Sequence, residues 1–89
     1  MKNRSRHDIA SMILESAAIG SGVTKTKVMY SAFLSYAQLK EYLAILQEKG
    51  LIEYQEVEGT YITTEKGLNF LQISNKMNEL TSNIRMKEI

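Results

Sequence analysis

One stretch leaves this chain little conformational choice: SYAQLKEYLAILQEKGLIEY, residues 35–54. Ser35 and, three residues on, Gln38 form a capping box, in which each side chain satisfies an amide N–H left over at a helix start. Leu39, Leu43 and Leu46, flanked by Tyr42, then recur at the spacing of one buried helix face. Gly50 stops the helix, and Leu51-Ile52 opens a strand with no linker between. A helix over 35–49 that is apolar along one stripe and runs straight into a strand has to be packed by the elements on either side of it.

Those elements can be read from local signals. Ser5 and Asp8 resemble a capping box, and Ile9, Met12, Ile13 and Ala17 follow at helical spacing. The Gly-Ser-Gly at 20–22 ends this first helix, which is expected over about 6–19. Thr24 caps a short second helix that buries Val28 and Met29, and residues around 31–34 turn into the helix at Ser35. After Gly50, LIEYQEVEGTYIT mixes β-branched and aromatic residues around a Glu-Gly pair. It predicts a hairpin with strands at 52–56 and 60–63 and a turn at 57–59. Thr64 opens a last helix over 64–86, about 34 Å long at 1.5 Å per residue.

That last helix carries two apolar patterns. Leu68 and Leu71 form a stripe near its start, suited to packing on the domain. Phe70, Ile73, Met77, Leu80 and Ile84 recur at alternating steps of three and four, the pattern of a coiled-coil seam. The e and g positions of that seam include Ser74, Lys76, Thr81 and Asn83, too few charge pairs to fix the orientation of a partner helix. A stripe of this kind left bare would be an exposed apolar patch. A homodimer is therefore expected, and a monomer with the helix folded back on its own domain is the alternative. The fold class expected is mainly α with a small β-hairpin. Residues 1–63 form the compact domain and residues 64–89 a long dimerisation helix.

Composition narrows the function classes. The chain has 89 residues and no cysteine, which excludes disulfides and thiolate metal sites. At this length only about 60–65% of the unfolded surface is buried on folding, so association would add useful stability. No apolar run approaches the roughly 18 residues of a membrane span. MKNRSRHD at the start is basic but lacks the apolar stretch of a secretory signal. A cytoplasmic protein without a membrane partner is expected. The net charge of +1 conceals an asymmetry. Lys2, Arg4, Arg6, Lys25, Lys27 and Lys40 stand against Asp8 and Glu15 in residues 1–40, a net +4, whereas Glu53, Glu56 and Glu58 give residues 51–61 a net −3.

Helix, tight turn, helix, hairpin is the order of a helix-turn-helix followed by a wing. The helix over 35–49 would then offer its outer side to the major groove of DNA. Ala37, Lys40, Glu41 and Ala44 point away from its buried stripe, with Ser35 and Tyr36 at the exposed end and Gln38 on the flank. Gln38 could read adenine and Lys40 could approach guanine or a phosphate. Ser35 and Tyr36 offer hydroxyls, Lys25 and Lys27 suit phosphate contacts, and Arg4 and Arg6 would form a mobile arm.

TKTKVMYSAFLSYAQLKEYLAILQEKGLIEY followed by YITTEKGLNFL closely resembles the small archaeal winged-helix DNA-binding proteins, over about residues 6–84. The resemblance rests on Lys-Thr-Lys with Met-Tyr, on Leu-Ser-Tyr, on Gly-Leu-Ile and on Thr-Glu-Lys-Gly taken together. It implies a homodimer joined by an antiparallel coiled coil, binding duplex DNA as a transcriptional regulator or a nucleoid-associated chromatin protein. The acidic wing departs from that pattern, because carboxylates are repelled by phosphates. Glu53, Glu56 and Glu58 would point away from DNA, face a basic protein partner, or guard the hairpin edge against aggregation. A protein-interaction winged helix working through residues 53–58 is thus the second reading. Catalysis has little support. His7, the only histidine, sits beside Asp8 at a helix start, and the Gly-Ser-Gly has no strand before it to cradle a phosphate. No cofactor or metal is implied.

Overall fold

The computed structural model describes the backbone of residues 4–88 and the side chains of residues 4–77, 79 and 80. Four helices and one hairpin follow in order: α1 (Arg6–Ser16), α2 (Lys25–Ser31), α3 (Tyr36–Glu48), β1 (Ile52–Gln55), β2 (Thr60–Thr63) and α4 (Glu65–Glu88). The helix starts follow the cap chemistry. Ser5 with Asp8 and Ser35 with Gln38 both form complete capping boxes, and the Thr24 side chain accepts from the Lys27 amide. Leu39, Leu43 and Leu46 of α3 meet Ile13 and Leu14 of α1, its C-cap Ala17 and Val28 of α2 in a single core, closed by Leu51, Ile52, Tyr61 and Leu71.

α1 ends at Ser16, three residues before the expected stop. The reason is non-local. The backbone N–H of Thr63 donates to the Ala17 carbonyl (3.0 Å), and its hydroxyl donates to the Leu14 carbonyl (2.6 Å). The end of β2 thus takes up carbonyls that the helix would otherwise leave unpaired.

β1 and β2 pair antiparallel, Ile52 opposite Thr63 and Gln55 opposite Thr60. Their turn occupies residues 56–59, one residue longer than expected. The Gly59 N–H donates to the Gln55 carbonyl at 2.8 Å. A third short partner was not foreseen: Val23 exchanges both backbone hydrogen bonds with Tyr61, at 2.9 and 2.7 Å. Gly22 permits this approach, since a Cβ there would lie 2.6 Å from the Tyr61 carbonyl oxygen.

α4 packs on the domain through a line that differs from the expected Leu68–Leu71 stripe. Gly67, Leu71 and Ser74 are buried and Phe70 half-buried, while Leu68 is exposed. Ile73, Met77 and Leu80 are each more than half exposed. At 100° per residue this second line runs beside the packed one, and Phe70 lies between the two. Among the described residues, no helix is long and apolar enough to cross a membrane.

Candidate nucleic-acid interface

The start of α3 is where the polar candidates converge. Ser35 accepts the Gln38 N–H through its hydroxyl oxygen (3.2 Å), which holds the first turn and leaves the hydroxyl proton free to donate. Tyr36 projects from this end and stays exposed. The Lys25 ammonium, at the start of α2, sits 5.5 Å from the centroid of the Tyr36 ring. A cation over an aromatic face is held there electrostatically while its remaining N–H groups stay available. Lys40, one turn beyond Tyr36, is exposed, and so is Lys27. Lys25, Tyr36 and Lys40 thus supply positive charge and a hydroxyl at the N-terminal ends of two helices, where peptide dipoles also favour anions. Ala37 and Ala44 keep the outer face of α3 low. Glu41, exposed between them, could accept from a cytosine amino group.

Gln38 is less free than its position suggests. Its amide oxygen accepts the Ser35 backbone N–H at 3.0 Å. Bidentate reading of adenine needs that same oxygen as acceptor, so capping and base reading compete for one atom. The cap that makes α3 start here is the cost of the second role.

Arg4 and Arg6 do not form a mobile arm. The Arg4 guanidinium donates to the Ala32 carbonyl and to the Phe33 carbonyl (3.0 Å), and it lies 6.0 Å from the Phe33 ring centroid. It caps the end of α2, because the carbonyls of a helix C-terminus lack intrahelical partners. Arg6 lies 5.6 Å from the Tyr42 ring, on the flank of α3 away from Tyr36 and Lys40. It borders a largely apolar cleft of about 250 Å³ with His7, Lys49 and Phe70. The His7 Nε2 is 2.6 Å from the buried Ser74 hydroxyl, while the Asp8 carboxylate accepts the Ser5 N–H. Among the described residues, no group of three or more His, Cys, Asp or Glu side chains could hold a metal ion.

Glu53, Glu56 and Glu58 are exposed along the hairpin, with Val57 bare at its tip. The Tyr54 and Tyr61 rings pack against each other across the strands, tilted by 50° with centroids 4.9 Å apart. Glu53 and Glu56 border an open groove of about 600 Å³ together with Gln47, Ile52 and Tyr54. Of the seam residues, Ile73, Met77 and Leu80 lie on the exposed line of α4, and Phe70 turns to its own domain, its ring 5.2 Å from that of His7. The Ile84 side chain lies outside the described residues. Two exposed rings, Tyr30 and Phe33, were not singled out from sequence. Aromatic residues are more often buried than exposed, so nothing in their residue type marks them as surface rings.

Three helices with a tight turn before the third, then a two-stranded hairpin and a further helix, make up the fold. Residues 3–82 match a family model described as winged helix-turn-helix. No curated protein matches the chain. On the architecture and on a match that covers most of its length, the chain belongs to the winged helix-turn-helix family.

Proposed function

We propose that this protein is a homodimer that binds duplex DNA, as a transcriptional regulator or chromatin-associated protein akin to the small archaeal winged-helix proteins. It acts in the cytoplasm, on the nucleoid, without catalysis and without a cofactor. The observation that carries this reading is the Lys25–Tyr36 pair at the start of α3, with the exposed Lys40 one turn along. It places cationic and hydroxyl groups where α3 would enter a major groove. Lys25, Lys27 and Lys40 contact phosphates in this reading, Tyr36 and Ser35 contact phosphate or base edges, and the exposed line of α4 forms an antiparallel coiled coil with a second copy.

The test is fluorescence anisotropy of a random-sequence duplex titrated with the protein at several salt concentrations. Affinity should fall steeply as salt rises. Replacing Lys25, Lys27 and Lys40 together by alanine should weaken binding to all sequences and flatten the slope by about 0.9 per lost contact. An unchanged slope removes these lysines from the interface.

A second reading has its own support. Glu53 and Glu56 border a groove that also contains apolar Ile52 and Tyr54, a combination that suits a basic segment of a protein partner. Absent or salt-insensitive DNA binding favours that role.

A further inference from the structure

The turn between α2 and α3 contains a conformation that its sequence does not favour. α2 closes with two backbone bonds: the Phe33 N–H donates to the Tyr30 carbonyl (3.3 Å), and the Leu34 N–H donates to the Met29 carbonyl (3.0 Å). This paired closure needs a left-handed residue after the cap, and glycine is the usual choice. α3 closes in the same way and uses glycine, Gly50 at φ 74°. α2 uses phenylalanine, Phe33 at φ 55°, the single non-glycine residue with positive φ among the described residues. A bulky side chain in this region is a true outlier, and such outliers cluster at functional sites.

Packing does not account for Phe33, because its side chain is 76% exposed. Tyr30, one turn earlier, is 71% exposed, and Tyr36, just past the turn, is 55% exposed. Three rings thus stand in solvent within seven residues. Two of them have cations over their faces, Arg4 at Phe33 and Lys25 at Tyr36. Lys27 is exposed on the same short helix. Residues 24–36 include no acidic side chain. Exposed rings interleaved with positive charge are the chemistry that holds a polyanion whose bases are free to stack. A duplex keeps its base faces inside the stack and offers none to these rings.

From this we infer that Tyr30, Phe33 and Tyr36, with Arg4, Lys25 and Lys27, form a stacking surface for an unpaired DNA strand. The rings take base faces and the cations take phosphates. Arg4 also anchors the Phe33 carbonyl and so holds the strained residue at the surface. The single-strand surface shares Lys25, Lys27 and Tyr36 with the proposed duplex surface, whereas Tyr30 and Phe33 belong to it alone.

The test uses the full chain and an oligothymidylate of about twelve nucleotides, with an abasic strand and a random duplex of the same length as comparators, all by anisotropy. The Tyr30→Ala, Phe33→Gly double variant should fold, since glycine suits position 33, and circular dichroism checks this. It should bind the oligothymidylate at least about five-fold more weakly per ring removed, with duplex affinity changed less than about two-fold. Phe33→Trp should retain single-strand binding. The inference is overturned if wild-type protein ignores the oligothymidylate, binds the abasic strand equally well, or is unaffected by the double variant. Loss of duplex binding alone would refute the duplex reading and leave this one standing.

Discussion

Gly67 shows how much a single atom decides here. It lies in the first turns of α4, where alanine normally stabilises a helix by about 0.5–1 kcal/mol over glycine. A Cβ at this position would run into the Leu51 carbonyl oxygen and come within 2.5 Å of the Thr63 methyl group. Leu51 lies just before β1 and Thr63 ends β2, and the Leu51 carbonyl is backbone that cannot rotate away. Gly67→Ala is therefore expected to destabilise the protein, by roughly 1–3 kcal/mol, in chemical denaturation. A stabilised variant would show that α4 sits farther from the hairpin than described. The glycine of Thr-Glu-Lys-Gly was legible as a motif but not as a contact, because the carbonyl it must clear lies sixteen residues earlier in the chain. The same limit applies to Phe33. Its residue type argues for burial, and only the paired bonds that close α2 reveal that it is held outward. Gln38 is the reverse case. Its capping role and its candidacy for reading adenine were both legible, and the capping bond engages the oxygen that base reading would need.

Elements are joined here by shared caps, and this explains which boundaries the sequence revealed. The Thr64 hydroxyl donates to the Gly50 carbonyl (2.7 Å) and accepts from the Gly67 N–H (3.1 Å), while the Thr64 N–H donates to the Leu51 carbonyl (3.0 Å). The Lys66 ammonium adds a bond to the Lys49 carbonyl at 2.8 Å. One residue therefore finishes α3 and begins α4. Thr64→Val keeps the shape and removes both hydroxyl bonds, so the urea midpoint should fall by the equivalent of about 1–2 kcal/mol. Ser35→Ala removes only the local α3 cap and should cost about 1 kcal/mol. A loss at Thr64 no larger than that at Ser35 would mean that the junction bond to Gly50 contributes nothing. The start of α3, its stop near Gly50 and the hairpin were legible because their signals lie within a few residues of each boundary. The early stop of α1 was not, since it depends on Thr63, and neither was the Val23–Tyr61 pairing, a two-residue match too short to leave a pattern.

At the scale of the whole molecule, the question is what covers α4. Its domain-facing line, Gly67, Phe70, Leu71 and Ser74, is accounted for by α1 and the hairpin. The neighbouring line stays open to solvent at Ile73 and Leu80, at exposures of 63% and 56%. Leaving such side chains in water forgoes about 25 cal/mol for each Å² of apolar surface that could be buried. A domain this small also has little stability in reserve. A second copy offers an identical stripe, and closed two-fold dimers are the commonest solution to a self-complementary surface. Dimerisation would set two α3 helices at a fixed separation, so the whole molecule would read two segments of one duplex. Replacing Ile73 and Leu80 together by aspartate puts repelling charges on that line without touching the buried face of α4. The expected result is a monomer in sedimentation velocity with its circular dichroism retained, and with duplex affinity reduced far more than by loss of any single lysine. If the variant still sediments as wild type, the stripe is not the dimer seam. The proposed pairing of α4 would then fall, while the helix-turn-helix and its face of Lys25, Tyr36 and Lys40 would be left as a self-sufficient binding unit.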